Sequence, residues 1–187
     1  MIRKIVPQIL FILLFLTINS SAFSNQSNWQ PAKEGNKIIL IRHALAPGGG
    51  DPKGFKLDDC KTQRNLNKIG INQSKKIGNL FKKNKIKIDK VLSSQWCRCK
   101  DTAMYAFKNY EEFPPLNSTF SPPFDKNEKR QIQNLKSFVQ NWNGNNGNLV
   151  LVTHYVIILA VTGLAPSSGE IVITDKDFKV LSTIDTF

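Results

Sequence analysis

Apolar residues fall along the chain in short runs that alternate with longer amphipathic stretches. Three of these runs are rich in branched aliphatic side chains and too short for helices, so we expect buried strands at 37–41, 87–92 and 149–153. Two further strands are expected at 170–174 and 178–184, joined as a hairpin by the turn residues 175–177.

Helical spacing of apolar residues separates these strands. Ile69, Ile77, Leu80 and Phe81 share one face of a helix predicted over 67–83, for which Asn65 or Asn67 is a suitable N-cap. Further helices are expected at 96–110, 127–142 and 155–162, whereas two Pro-Pro pairs exclude regular structure from 114–123. Strands alternating with helices predict a three-layer α/β/α fold, with a mostly parallel sheet and an antiparallel edge.

The first 24 residues have the features of a secretory signal peptide. Arg3 and Lys4 precede an apolar run over 5–16 that is too short to span a bilayer, and Ala22 and Ser24 are the small residues of a cleavage site. We therefore expect cleavage after Ser24, no membrane span afterwards, and a periplasmic or secreted protein. The alternative, an uncleaved anchor, is disfavoured by the short run. Residues 25–36 are expected to form a polar, loosely held leader before a single domain at 37–187.

The net charge of +12 comes mostly from dispersed lysines. It favours anionic ligands, but no aromatic-basic pattern indicates nucleic acid, and a solvated lysine surface is the simpler interpretation. The chain has three cysteines, and in an exported protein we expect Cys60 to pair with Cys97 or Cys99. A zinc site is not expected, because the two histidines lie far from these cysteines in the sequence.

Both histidines follow a predicted strand directly, where ligands bind in open parallel sheets. His43 comes after Arg42 at the end of the first strand, and His154 comes at the end of the run 149–153. Arg98 lies one helical turn beyond Ser93-Ser94, at the end of a third strand. Each residue alone would be an ordinary surface residue, but together at three strand ends they indicate a site.

These side chains suit phosphoryl transfer. Guanidinium groups match phosphate oxygens and stay charged, while a neutral imidazole can attack phosphorus to give a covalent intermediate. A second, protonated imidazole can stabilise the charge that develops on the transferring oxygens. This chemistry requires no metal and no cofactor.

Four segments in order resemble motifs of the histidine phosphatase superfamily, which is phosphoglycerate mutase-like. They are Arg42-His43-Ala44, the helix entry 65–74, Ser93-Ser94 with Arg98 and Thr102-Ala103, and Leu151-Val152-Thr153-His154. The resemblance implies that His43 is the nucleophile and that Arg42, Arg98 and His154 bind the phosphate. It places Arg64 at the rim of the pocket, although a surface position suits Arg64 equally well.

The sequence departs from that family in two respects. Ala44 replaces a glycine, and the acid that protonates the leaving group is not evident, because Ser118 and Tyr155 occupy the two positions where relatives carry a carboxylate. Asp51 and Glu170 are the preferred candidates for this acid, with Asp59 behind them; each would otherwise be a surface carboxylate.

A narrower resemblance, in 59–66 and 96–99, is to exported bacterial phosphatases associated with phosphorylated heptose of the lipopolysaccharide core. It implies a small-molecule or glycolipid phosphate ester as substrate. The chain is too short for a large lid domain, so we expect an open site that only residues 110–129 could cover. The alternatives are a phosphate-binding module without a working acid and a mutase, the latter disfavoured by export. The sequence leaves the oligomeric state open.

Overall fold

The computed structural model describes residues 27–145 and 147–187, which form a six-stranded sheet with helices on both faces. The predicted signal peptide lies outside the described residues. In spatial order, β3, β2, β4 and β1 are parallel neighbours, and β5 and β6 continue the sheet in antiparallel pairing. The strands are β1 Ile38–Arg42, β2 Ile88–Ser93, β3 Glu111–Glu112, β4 Asn148–Thr153, β5 Ile171–Thr174 and β6 Val180–Ile184.

The helices form two layers, because side chains alternate between the faces of each strand. Ile39 and Ile41 of β1 pack in the core beneath α2 and α3, whereas Ile38 and Leu40 pack in a second core beneath α4 and α5. The helices are α1 Gln30–Lys33, α2 Lys68–Lys83, α3 Cys97–Phe107, α4 Glu128–Asn141 and α5 Tyr155–Thr162. The predicted three-layer α/β/α fold is therefore confirmed.

The start of α2 is fixed against the loop that follows β1. Asn67 is the N-cap, since its side chain accepts a hydrogen bond from the backbone N–H of Gly70 at 2.9 Å. A Cβ at Gly70 would overlap the carbonyl oxygen of Leu45, so only glycine permits this approach. The helix thereby supports the loop beginning at His43.

The leader is not loosely held from residue 28 onward, contrary to the expectation from its polar composition. Trp29 and Ala32 are buried, and the ring of Trp29 packs edge-on against that of Phe81, with 5.1 Å between centroids. Burial of one large aromatic side chain removes a large apolar surface from water, and this stabilises the packed segment despite its polar composition.

Three smaller features differ from the predicted elements. Helix α3 ends at Phe107 because Lys108 adopts a left-handed conformation, with φ of 70°. The short edge strand β3 was not predicted, and two 3₁₀ turns, Pro114–Leu116 and Phe124–Asn127, lie in the irregular stretch and just beyond it. In the described part of the chain, no helix combines the length and apolar character needed to cross a membrane.

A disulfide joins Cys60 to Cys97, so the expected bridge from Cys60 is confirmed and its partner is identified. Cys99 is a buried free thiol. The bridge connects the segment before Arg64 to the first residue of α3, the helix that carries Arg98. It therefore links the two chain segments from which these two arginines project.

Candidate active site

The two histidines lie side by side at the carboxyl edge of the sheet. They follow the neighbouring parallel strands β1 and β4, in which Arg42 is opposite Thr153. The backbone N–H of His43 donates to the carbonyl oxygen of Thr153 at 2.9 Å, and the ring centroids of His43 and His154 are 5.5 Å apart. The sheet register thus brings both imidazoles to one place, as the sequence predicted.

The hydrogen bonding of His43 fixes its tautomer. Its Nδ1 lies 2.9 Å from the carbonyl oxygen of Ala44. Because a carbonyl oxygen only accepts, Nδ1 carries the proton, and the lone pair is on Nε2. The side chain borders a cavity although His43 is only 2% exposed. A buried imidazole with a free Nε2 lone pair is poised for nucleophilic attack.

Electrostatics keep this imidazole neutral. Burial is the main cause that holds the pKa of His43 well below its usual value, and the charge of Arg98 acts in the same direction. The hydrogen bond to Ala44 opposes them, while Arg64 and Arg42 lower the pKa further. The nucleophilic form therefore persists into mildly acidic solution.

A pH profile follows from this lowered pKa. Protonation would occupy Nε2, so we expect kcat/KM for a phosphate ester to fall only well below pH 6.5, the usual pKa of histidine. An Arg64→Gln variant removes one nearby positive charge, so the acid limb should move upward towards pH 6.5. Rates measured from pH 4 to 8 test both the position of the acid limb and its shift in the variant. An acid limb above pH 6.5 in the unaltered protein would contradict the assignment of His43 as a neutral nucleophile.

The second imidazole, expected to be protonated while it stabilises the transferring oxygens, is His154, and the protein groups around it by themselves favour its neutral form. Its Nδ1 faces Nη2 of Arg98 at 3.5 Å, and a guanidinium can only donate. The proton is therefore on Nε2, 2.9 Å from Oγ of Ser94, which in turn donates to Asn117. Burial and then Arg98 lower the pKa of His154 well below its usual value. A bound phosphate dianion would raise it again.

Three arginines surround the imidazoles and border the same cavity. Arg42 donates from Nη1 to the carbonyl oxygen of Pro166 at 2.8 Å, and Arg64 donates to the carbonyl of Ala46. Arg98 donates to Asp51 at 2.8 Å. In each arginine the Nε is buried and has no hydrogen-bond partner among the described residues. The three guanidinium groups bring positive charge to one cavity, which suits an anionic ligand.

Asp51 holds Arg98 in place. Its Oδ1 accepts from Arg98 and, at 3.0 Å, from the backbone N–H of Arg64, while its Oδ2 accepts from the indole of Trp96 at 3.0 Å. Burial acts to raise the pKa of Asp51, but the hydrogen bond and charge of Arg98, with the other two hydrogen bonds, hold that pKa below its usual value. The lining thus combines three guanidinium charges with one carboxylate, and this excess of two positive charges matches a phosphate dianion.

Aromatic side chains form part of the wall of the cavity, whose volume is about 260 Å³. The ring of Trp96 lies 5.7 Å from that of Phe55 and 5.0 Å from that of Phe124, and opposite them Phe120 packs against Tyr155 at 6.0 Å. Phe120 and Phe124 belong to the stretch 110–129, the part of the chain expected to cover the site. The positions of Phe55, Phe120 and Phe124 beside the site were not predicted, because these residues lie in irregular segments without a periodic pattern.

The remaining carboxylate candidates for the general acid lie elsewhere. Glu170 accepts a hydrogen bond from the backbone N–H of Ser167 at 2.7 Å and is not part of the cavity lining, although its charge acts on Arg42. Asp59 caps the turn Cys60–Thr62 by accepting from Lys61 at 3.0 Å. Ser118 and Tyr155 do border the cavity, so the two positions at which relatives carry the acid lie at the site, although neither residue is a carboxylate.

Comparison with known proteins places this geometry in context. Neither a family model nor a curated protein sequence matches the chain. Among solved structures, the putative phosphohistidine phosphatase SixA from Agrobacterium tumefaciens is similar with a TM-score of 0.57 at 15% identity, over 81% of this chain and 98% of that one.

Two further structures share the fold. Phosphoglycerate mutase from Thermus thermophilus has a TM-score of 0.53 at 17% identity, over 80% of this chain and 98% of that one. The protein histidine phosphatase SixA complexed with tungstate has a TM-score of 0.52 at 15% identity, over 80% and 97%. The chain therefore has the phosphoglycerate mutase-like fold that was expected from its sequence.

Proposed function

We propose that the protein is a phosphomonoesterase that works through a phosphohistidine on His43. The observation that carries the proposal is the buried imidazole of His43, with its proton on Nδ1, in one cavity lining with three arginines. A nucleophile and a receptor for a phosphate dianion are thereby combined in one cavity.

Two displacements complete the reaction. Nε2 of His43 forms a bond to phosphorus as the ester P–O bond breaks, and the arginines neutralise the charge on the transferring oxygens. Water then attacks the phosphohistidine, the P–N bond breaks, and His43 recovers its lone pair. Both hydrogens of the water leave on the phosphate, so the imidazole begins and ends the cycle with its proton on Nδ1.

The proposed substrate is a phosphorylated sugar of the cell envelope, and the proposed location is the periplasm or the exterior. Both rest on the signal-peptide features and on the narrower sequence resemblance described above. The disulfide between Cys60 and Cys97 supports export, because such bonds persist in oxidising compartments. The aromatic wall supports a ring-shaped leaving group, since a sugar or aromatic ring can pack on exposed aromatic faces.

The alternative is a phosphate-binding module that does not turn over. The same three arginines support it, and so does the involvement of Asp51 in an ion pair rather than in proton transfer. The two proposals differ in one observable property, which is whether phosphorus becomes bonded to Nε2.

Hydrolysis of 4-nitrophenyl phosphate by the purified protein, with EDTA present, tests the proposal. We expect nitrophenol release and, after rapid quenching, a phosphoryl group on His43 that is lost in acid. The matched control is 4-nitrophenyl sulfate, a monoanionic ester of similar shape that should not react. Phosphate binding by folded protein without nitrophenol release would favour the binding module instead.

A further inference from the structure

We infer that this site is selective for phosphoryl compounds whose leaving groups depart without being protonated, because no described residue that lines the cavity offers a carboxyl group free to donate a proton. The inference rests on the proposed phosphatase function and specifies its substrate class. Among sugar derivatives, it favours diphosphates and phosphates on the anomeric oxygen over phosphates on ordinary alcohol oxygens.

Every carboxylate side chain of the protein can be accounted for. The chain contains 14 Asp and Glu residues, and none of them falls within residues 1–26 or at position 146. All therefore belong to the part of the chain that the structure describes. Of these 14, Asp51 alone lines the cavity.

The hydrogen bonds of Asp51 favour its ionised form. Oδ1 faces the guanidinium of Arg98 at 2.8 Å and the backbone N–H of Arg64 at 3.0 Å, while Oδ2 faces the indole N–H of Trp96 at 3.0 Å. All three neighbours can only donate. A proton on Oδ1 would point at a donor, and a proton on Oδ2 would remove the charge that pairs with Arg98, so Asp51 acts as a positioning residue for Arg98.

The other proton-bearing groups near the imidazoles are poor acids. The Nε2–H of His154 is already directed at Ser94, 2.9 Å away, and a second proton on Nδ1 would lie against the guanidinium of Arg98, 3.5 Å away. Cys99 does not line the cavity, and burial raises the pKa of its thiol to about 12. The hydroxyl groups of Ser118 and Ser121 line the cavity, but aliphatic hydroxyls are very weak acids. The phenol of Tyr155 is the one remaining O–H among the described residues of the lining.

The lack of a free carboxyl group determines which leaving groups can depart. When Nε2 of His43 bonds to phosphorus, the leaving oxygen takes the electron pair of the broken P–O bond and must leave as an anion. Phenolate, whose conjugate acid has a pKa of about 10, is a far better anion than an alkoxide, whose conjugate acid lies near water at roughly 16. A positioned acid typically contributes about 10²- to 10⁴-fold, and here that contribution is missing.

A series of aryl phosphates of similar size, from 4-nitrophenyl to unsubstituted phenyl, together with one alkyl phosphate, tests the inference on the unaltered protein. We expect kcat/KM to fall steeply as the leaving group becomes less acidic, by at least about 10²-fold across the series. Turnover of 4-nitrophenyl phosphate with nearly equal rates for all the esters would overturn this inference and leave the proposed function intact. No turnover of any ester would overturn the proposed function.

Variants of cavity residues test whether the missing acid causes the dependence of the rate on the leaving group. Ser118→Glu introduces a carboxyl group into the lining and should raise the rate on alkyl phosphate by about 10-fold or more while leaving 4-nitrophenyl phosphate little changed. Ser118→Gln, of the same size, should raise neither. Asp51→Asn should slow both substrates alike through Arg98, and Tyr155→Phe should slow neither selectively. A loss confined to alkyl phosphate in either of the last two variants would identify a general acid and overturn the inference.

Discussion

A His43→Ala variant is expected to lose turnover of phosphate esters by on the order of 10⁴-fold or more, the scale seen when a covalent nucleophile is removed. The loss should appear in kcat, because the arginines that bind phosphate are untouched. The Nδ1 of the side chain bonds to the carbonyl of Ala44, and the strand pairing is made by the backbone, so removal of the ring leaves the sheet register intact. Stopped-flow rates with 4-nitrophenyl phosphate, beside calorimetric binding of inorganic phosphate, measure the two effects separately.

The matched control is His154→Ala. This imidazole lies 5.5 Å from His43, centroid to centroid, and bonds to Ser94 rather than carrying a lone pair that is free for attack. The variant should be slower than the unaltered protein but should still form a phosphoryl group on His43. If His43→Ala retained turnover while His154→Ala lost both turnover and the phosphorylated intermediate, the nucleophile would be His154 and the assignment would be wrong.

Arg98→Ala is expected to damage both stability and activity. The ion pair with Asp51 is buried, with side-chain exposures of 4% for Arg98 and 10% for Asp51. Removing one partner leaves a buried carboxylate without its counter-charge, which typically lowers the free energy of unfolding by about 3–5 kcal/mol. The loss of one fixed donor to the transferring phosphate should reduce kcat by about 10²- to 10³-fold. Urea unfolding and steady-state kinetics measure the two losses.

The double variant Arg98→Ala with Asp51→Ala distinguishes these contributions. When Asp51 is also removed, the unpaired buried carboxylate is gone. Much of the lost free energy of unfolding should then return, while the activity stays low. Arg64→Ala is the matched arginine control, because its guanidinium donates to the carbonyl of Ala46 rather than to a carboxylate. Recovery of activity in the double variant, or no loss of stability in Arg98→Ala, would contradict a direct role for Arg98.

The sequence predicted those features that depend on local pattern. Strands β1 and β4 are buried on both faces and so read as unbroken aliphatic runs, and the residues that follow them necessarily reach the carboxyl edge of the sheet. Arg64 could not be assigned, because its approach to the cavity depends on the path of an irregular loop held by Asp51.

Features that depend on packing between distant segments escaped prediction. The burial of Trp29 requires Phe81 of α2 as its partner, and nothing in residues 25–36 indicates that contact. The aromatic wall likewise joins Phe55, Trp96 and Phe124, which lie in three separate segments without common periodicity. The lowered pKa of His154 follows from its burial and the arginines around it, and not from its own position in the sequence.

The pairing of β1 with β4 also bears on how the molecule folds. Leu40 and Leu151 are opposite each other in neighbouring strands, although more than half of the chain separates them in sequence. Such a contact closes a long loop and forms late or slowly compared with local helices. Neither half of the chain alone contains both imidazoles, so affinity for phosphate arises only once the central sheet is assembled. Inorganic phosphate should therefore shift the folding equilibrium by mass action, and its binding reports the arrival of the complete native state.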